Sequence, residues 1–140
     1  MADKDVLTAK AASIQRRLAR IETVRVGREG LPAIDREDIL VLNIQRAVQC
    51  ALDMAEHVVA SDKLGVPDTE QRCFDLLAAH ERIPVELAAR LRRLAGFRNI
   101  VVHEYASLDP AVVDAIAARH LGDLKMLAAT LLASAVPTSA

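Results

Sequence analysis

An all-α, antiparallel bundle of about five helices is the fold that this 140-residue sequence predicts. Apolar residues, 52% of the chain, recur at steps of three and four almost from end to end. Nowhere do they alternate as in a half-buried strand. The breaks between the periodic stretches are short and carry glycine or proline, so successive helices must fold back on one another. The length suffices for one core. A single domain over residues 1–140 is expected, with a loose tail from about residue 135.

A first helix is read near residues 3–26, where Leu7, Ala11, Ile14, Leu18, Ile21 and Val24 form one apolar stripe, and GREGLP breaks it. Asp35 opens the longest pattern, with Glu37 and Asp38 in the first turn, where the helix dipole favours carboxylates. Leu40, Ile44, Ala47, Ala51, Met54 and Val58 carry that stripe to about Leu64. After GVPD a short third helix, roughly Thr69 to His80, turns Cys73, Leu76 and Leu77 inward. Pro84 suits the first position of a fourth helix, whose stripe is Leu87, Leu91 and Leu94. Asp109 followed by Pro110 starts a fifth, because the carboxylate caps and the proline ring presets φ. There Val113, Ile116, Leu124, Leu127 and Leu131 continue inward until Pro137.

Composition narrows the function classes. No apolar run approaches the roughly 18 residues of a membrane span, and the opening MADKDVLTAK has no long apolar core of a signal peptide. No membrane association is expected, and the expected compartment is the cytoplasm. Cys50 and Cys73 lack metal-ligand spacing and read as small buried hydrophobes in a reducing environment. A net charge of −1 does not advertise a nucleic-acid partner. From Glu81 to His103, however, five arginines (Arg82, Arg90, Arg92, Arg93, Arg98) face two acids, Glu81 and Glu86, a local excess of +3 (5 − 2). Guanidinium forks match phosphate oxygens, although a solvated helix face is the plainer reading of such a run. Aromatics are 2% of the chain, so base stacking is not the main device for holding single strands.

One stretch departs from the helical routine. In RNIVVHEY, residues 98 to 105, the polar Arg98, Asn99, His103, Glu104 and Tyr105 surround Ile100, Val101 and Val102. At about 100° per residue, Arg98 and Tyr105 share nearly one face, whereas His103 lies about 140° from Arg98. A straight, continuous helix therefore cannot aim Arg98 and His103 at one small ligand. Either the helix unwinds near His103, or a site is built across a two-fold axis to which each subunit contributes part. The simpler alternative is an arginine and a histidine that satisfy carbonyls at a helix end.

Arg98–Asn99–x3–His103–x–Tyr105 matches the R-x4-H-x-Y motif of the HEPN superfamily. More closely, the chain resembles the HepT toxins (DUF86) of HepT–MntA toxin–antitoxin systems. DREDILVLNIQRAVQCALDMAEHVVA (35 to 60) is similar to that family's long second helix, and TEQRCFDLL and PVELAARLRRLAGFRNIVVHEY follow in the family's order. The resemblance covers about residues 3 to 134. It implies a homodimeric HEPN-like toxin that is a metal-independent endoribonuclease, with two motifs facing each other across the interface. Cleavage without a metal needs the substrate 2′-hydroxyl as nucleophile, a base for its proton and an acid for the leaving oxygen. Histidine side chains serve in both roles, which assigns them to His103. Arg98 would stabilise the extra charge of the transition state, and Asn99 would donate to a phosphoryl oxygen or hold the histidine.

Arg90 and Arg93 are the candidates for contact with the RNA backbone. Two such segments meeting across the axis would form a basic groove. No cofactor and no metal site are called for. The resemblance further implies that Tyr105 is AMPylated, with ATP, by a partner MntA-like minimal nucleotidyltransferase antitoxin. A tyrosine that merely caps a helix end is the alternative. Arg46, Asp53 and His57 share a stripe on the second helix, which could line the cleft but more simply forms an internal salt-bridged face. His80 and His120 read as helix-end or surface residues. The rival function classes are a non-catalytic HEPN module that partners a nucleotidyltransferase, and a purely structural helical dimer.

Overall fold

The computed structural model describes residues 2–27, 29–104 and 108–135. Its regular elements are α1 (Lys4–Arg25), α2 (Ala33–Ser61), α3 (Arg72–Ala79), α4 (Val85–Glu104), α5 (Pro110–Arg119) and α6 (Gly122–Ser134). Among the described residues no helix is long and apolar enough to cross a membrane.

Local chemistry sets most of the boundaries. The Asp3 carboxylate caps α1, accepting from the Asp5 and Val6 amides at 2.8 and 3.4 Å. The chain leaves α1 through Gly27 and Gly30, at φ +72° and +63°, a left-handed conformation that costs glycine little. The Pro32 carbonyl accepts the first bond of α2, from Arg36 at 2.9 Å. The helix thus begins two residues ahead of the expected Asp35, which sits in its first turn. Asp109 caps α5 as expected, its carboxylate accepting from the Ala111 amide at 2.9 Å.

Two expectations are corrected. Pro84 precedes α4, its carbonyl taking the Ala88 amide at 3.1 Å, so the proline is at the cap position and not inside the helix. The single helix expected from Pro110 to Pro137 is two. His120 ends α5 and Gly122 begins α6; glycine gives up roughly 1 kcal/mol of helix propensity relative to alanine, and the chain breaks beside it. The sequence HLGD carried that signal, a glycine followed by an acid suited to a first turn.

α2 is the central element, and it packs against α1, α3, α4, α5 and α6. Its apolar arc is correspondingly wide. Val41, Val48, Leu52, Ala55 and Val59 are buried beside the expected Leu40, Ile44, Ala47, Ala51, Met54 and Val58. α1 runs antiparallel to it, since the cross-contacts Asp3–His57, Lys10–Asp53, Ser13–Cys50 and Arg17–Asn43 rise along one helix as they fall along the other. Cys73 is buried and Cys50 half-buried, both as free thiols. Burial raises the Cys73 thiol to about 11, so it stays protonated.

Candidate active site

α4 carries Arg98, Asn99 and His103 and runs unbroken to Glu104. The helix therefore does not unwind near His103, and the two side chains leave it about 140° apart. Arg98 turns inward, toward α2 and the segment ahead of α3, and its side chain is 16% exposed. Nη1 donates to Oε1 of Gln49. Nη2 donates to Oε2 of Glu70 at 3.0 Å and to Oδ1 of Asn99 at 2.8 Å. Nε is buried and has no acceptor among the described residues. His103 is exposed on the other side of the helix. Positions 85, 89, 92, 96, 100 and 103 line up there at helical spacing, and Val85 and Ile100 show 69% and 49% of their surface to solvent.

The inner half of the arrangement is a chain of hydrogen bonds. Gln49 Nε2 donates to Asp53 Oδ1 at 2.9 Å, and Asp53 Oδ2 accepts from Lys10 Nζ at 2.9 Å. That carboxylate holds the Lys10 ammonium above its ordinary pKa. Burial pushes the Glu56 carboxyl above its usual range; Glu70 and Asp53 push the same way, and Arg98 opposes them. Among the described residues no three His, Cys, Asp or Glu side chains converge as a metal-ligand set.

The arginine run changes character once folded. Arg82 pairs with Asp62, Arg90 with Asp123, Arg92 with Asp75 and Arg98 with Glu70, so four of the five meet acids from outside the segment. The +3 excess read from the linear sequence is largely compensated by residues distant along the chain, which corrects the expectation of a basic groove built from the whole run. Arg93 is exposed and makes no ion pair among the described residues. Arg90 is less available, since its Nε donates to both Asp123 oxygens at 3.0 and 3.1 Å.

On the α2 stripe Asp53 and His57 contact α1 and the segment ahead of it. Asp53 is bound by Lys10, and His57 Nε2 accepts from the Asp3 amide at 2.9 Å, while Arg46 is exposed. His80 contacts the Leu64 carbonyl at 3.0 Å beyond the end of α3, and His120 is an exposed cap. Tyr105 lies outside the described residues. Gln49 and Glu70 were not anticipated. Gln49 completes the stripe of Arg46 and Asp53 at steps of three and four, a periodic signal that a search for charged residues passes over. Glu70 belongs to a connecting segment and had no such signal.

The chain is 32% identical over 122 residues to the mRNA nuclease HepT of Shewanella oneidensis, a match covering 86% of this chain and 92% of that protein. It is 30% identical over 80 residues to the tRNA nuclease HepT of Aphanizomenon flos-aquae, over 57% of this chain and 54% of the relative. A solved structure of the tri-AMPylated Shewanella oneidensis HEPN toxin in complex with MNT antitoxin superposes with a TM-score of 0.86 at 30% identity, over 93% of this chain and 98% of that one. The model of the family described as "Ribonuclease HepT-like" matches residues 14–131. The chain belongs to the HepT-like ribonuclease family.

Proposed function

We propose that this protein is the toxin of a toxin–antitoxin pair, a metal-independent endoribonuclease that acts as a homodimeric, single HEPN-like domain in the cytoplasm. Its site is Arg98, Asn99 and His103, and a nucleotidyltransferase antitoxin silences it by AMPylating Tyr105. The observation that carries this reading is the Arg98–Asn99–x3–His103 part of the motif on an unbroken helix, in a chain that belongs to the family. Because Arg98 and His103 diverge on one helix, a two-fold axis beside α4 brings the arginine of one subunit toward the histidine of its partner. The exposed Val85 and Ile100, on the face of His103, suit that contact.

In the cleavage step the substrate 2′-oxygen attacks the adjacent phosphorus and the bond to the 5′-oxygen breaks, leaving a 2′,3′-cyclic phosphate. In each composite site one His103 accepts the 2′-hydroxyl proton and delivers it to the departing 5′-oxygen. Arg98 stabilises the charge that builds on the phosphoryl oxygens. RNA phosphate replaces Glu70 on Nη2, which that 47%-exposed carboxylate permits at small cost because water takes its place. Arg93 contributes to holding the RNA backbone, with Arg90 beside it on α4.

Purified, unmodified protein incubated with total RNA in EDTA is expected to cut it and to leave 2′,3′-cyclic phosphate ends. Strict Mg²⁺ dependence, or 5′-phosphate products, would overturn the chemistry. An intact fold that cuts nothing would leave the non-catalytic module that partners a nucleotidyltransferase.

A further inference from the structure

We infer that Gln49 is a positioning residue for cleavage: its amide, oriented by Asp53 and through it by Lys10, fixes the guanidinium of Arg98 in the plane that receives the phosphate. The inference rests on the reading of Arg98 given above.

The Gln49 amide presents an accepting oxygen at one end and a donating NH2 at the other, and each end is engaged. Its Oε1 takes Arg98 Nη1, and its Nε2 binds Asp53. Only one orientation of the amide satisfies both neighbours, since a flipped amide would set N–H against N–H and oxygen against carboxylate. Asp53 is fixed in turn by Lys10 from α1, so the relay ties α1, α2 and α4 together. The two sides of the guanidinium are then held differently. Glu70 is a half-exposed carboxylate on a connecting segment, and incoming phosphate can displace it. Gln49 is a half-buried neutral group on the central helix. It adds no negative charge to compete with phosphate, yet it stops the guanidinium rotating. That division suits an arginine that must be rigid and still retain its charge for the substrate.

The test uses the full-length protein and a defined RNA substrate. Gln49→Met keeps the side-chain volume and removes both bonds. It should lower kcat about 10- to 100-fold while KM moves less than about threefold, because the loss is one of transition-state geometry. Gln49→Glu keeps an oxygen on Arg98 and should recover part of the lost kcat. In an Arg98→Ala background, Gln49→Met should add less than about a twofold further loss to the residual cleavage, since the two act as one unit. The ¹⁵N signals of the Arg98 guanidinium, separate while its rotation is hindered, should merge in Gln49→Met.

Wild-type kcat in Gln49→Met, or a full additional loss in the Arg98→Ala background, overturns the positioning role. Should Gln49→Met fail to fold, Gln49→Glu decides: a guanidinium as hindered as in the wild type supports the role, and a freely rotating one refutes it. Full activity of Arg98→Ala would instead refute the assignment of Arg98 on which the inference rests.

Discussion

Growth inhibition by the free chain is expected to vanish when Arg98 or His103 is replaced by alanine, while helix content and self-association survive. A histidine that moves a proton in the transition state contributes about 10²- to 10⁴-fold. A charge aimed at developing phosphoryl charge contributes about 10²-fold or more. Neither residue carries a comparable share of stability. His103 is exposed, so its removal costs within about 0.5 kcal/mol. Arg98→Ala removes the Arg98 donor from Gln49, Asn99 and Glu70, but Glu70 is 47% exposed and regains water; about 1 kcal/mol is the expected cost. The informative outcome is therefore a variant with an almost unchanged melting temperature and no toxicity. If both variants stay toxic, cleavage takes place elsewhere on the molecule.

The second large effect concerns control. Tyr105 is the sole tyrosine of the chain, so any tyrosine AMPylation falls on it. It stands two residues from His103 and seven from Arg98 in the sequence. A nucleotide phosphate there adds negative charge and bulk where RNA phosphate must enter. Coexpression with the cognate nucleotidyltransferase should yield a chain carrying one or more AMP units by intact mass, devoid of ribonuclease activity. Tyr105→Phe should acquire none. An unmodified wild-type chain that is nonetheless neutralised would mean that the partner inhibits by binding alone.

The helices were legible because apolar periodicity reports burial directly: every residue of the expected α2 stripe is in the core. The division of the last helix was missed because Val113, Ile116, Leu124 and Leu127 fit one extended stripe, and only Gly122 marked the interruption. At the site, spacing alone established that Arg98 and His103 diverge, and the unbroken α4 bears this out. The surroundings of Arg98 were not legible. Its partner on α2 is 49 positions away and Glu70 is 28 positions away, and no local pattern encodes such pairings. The same limit hid the neutralisation of the arginine run, whose acids Asp62, Asp75 and Asp123 come from three other parts of the chain.

A site shared between subunits is tested most directly by mixing two inactive variants. Arg98→Ala and His103→Ala chains, unfolded together and refolded, form mixed dimers with one doubly mutated site and one intact site. About a quarter of wild-type ribonuclease activity is then expected, since half of the dimers are mixed and each has one working site of two. Mixed dimers that remain as inactive as either parent would contradict a cleft in which Arg98 of one subunit works with His103 of the other.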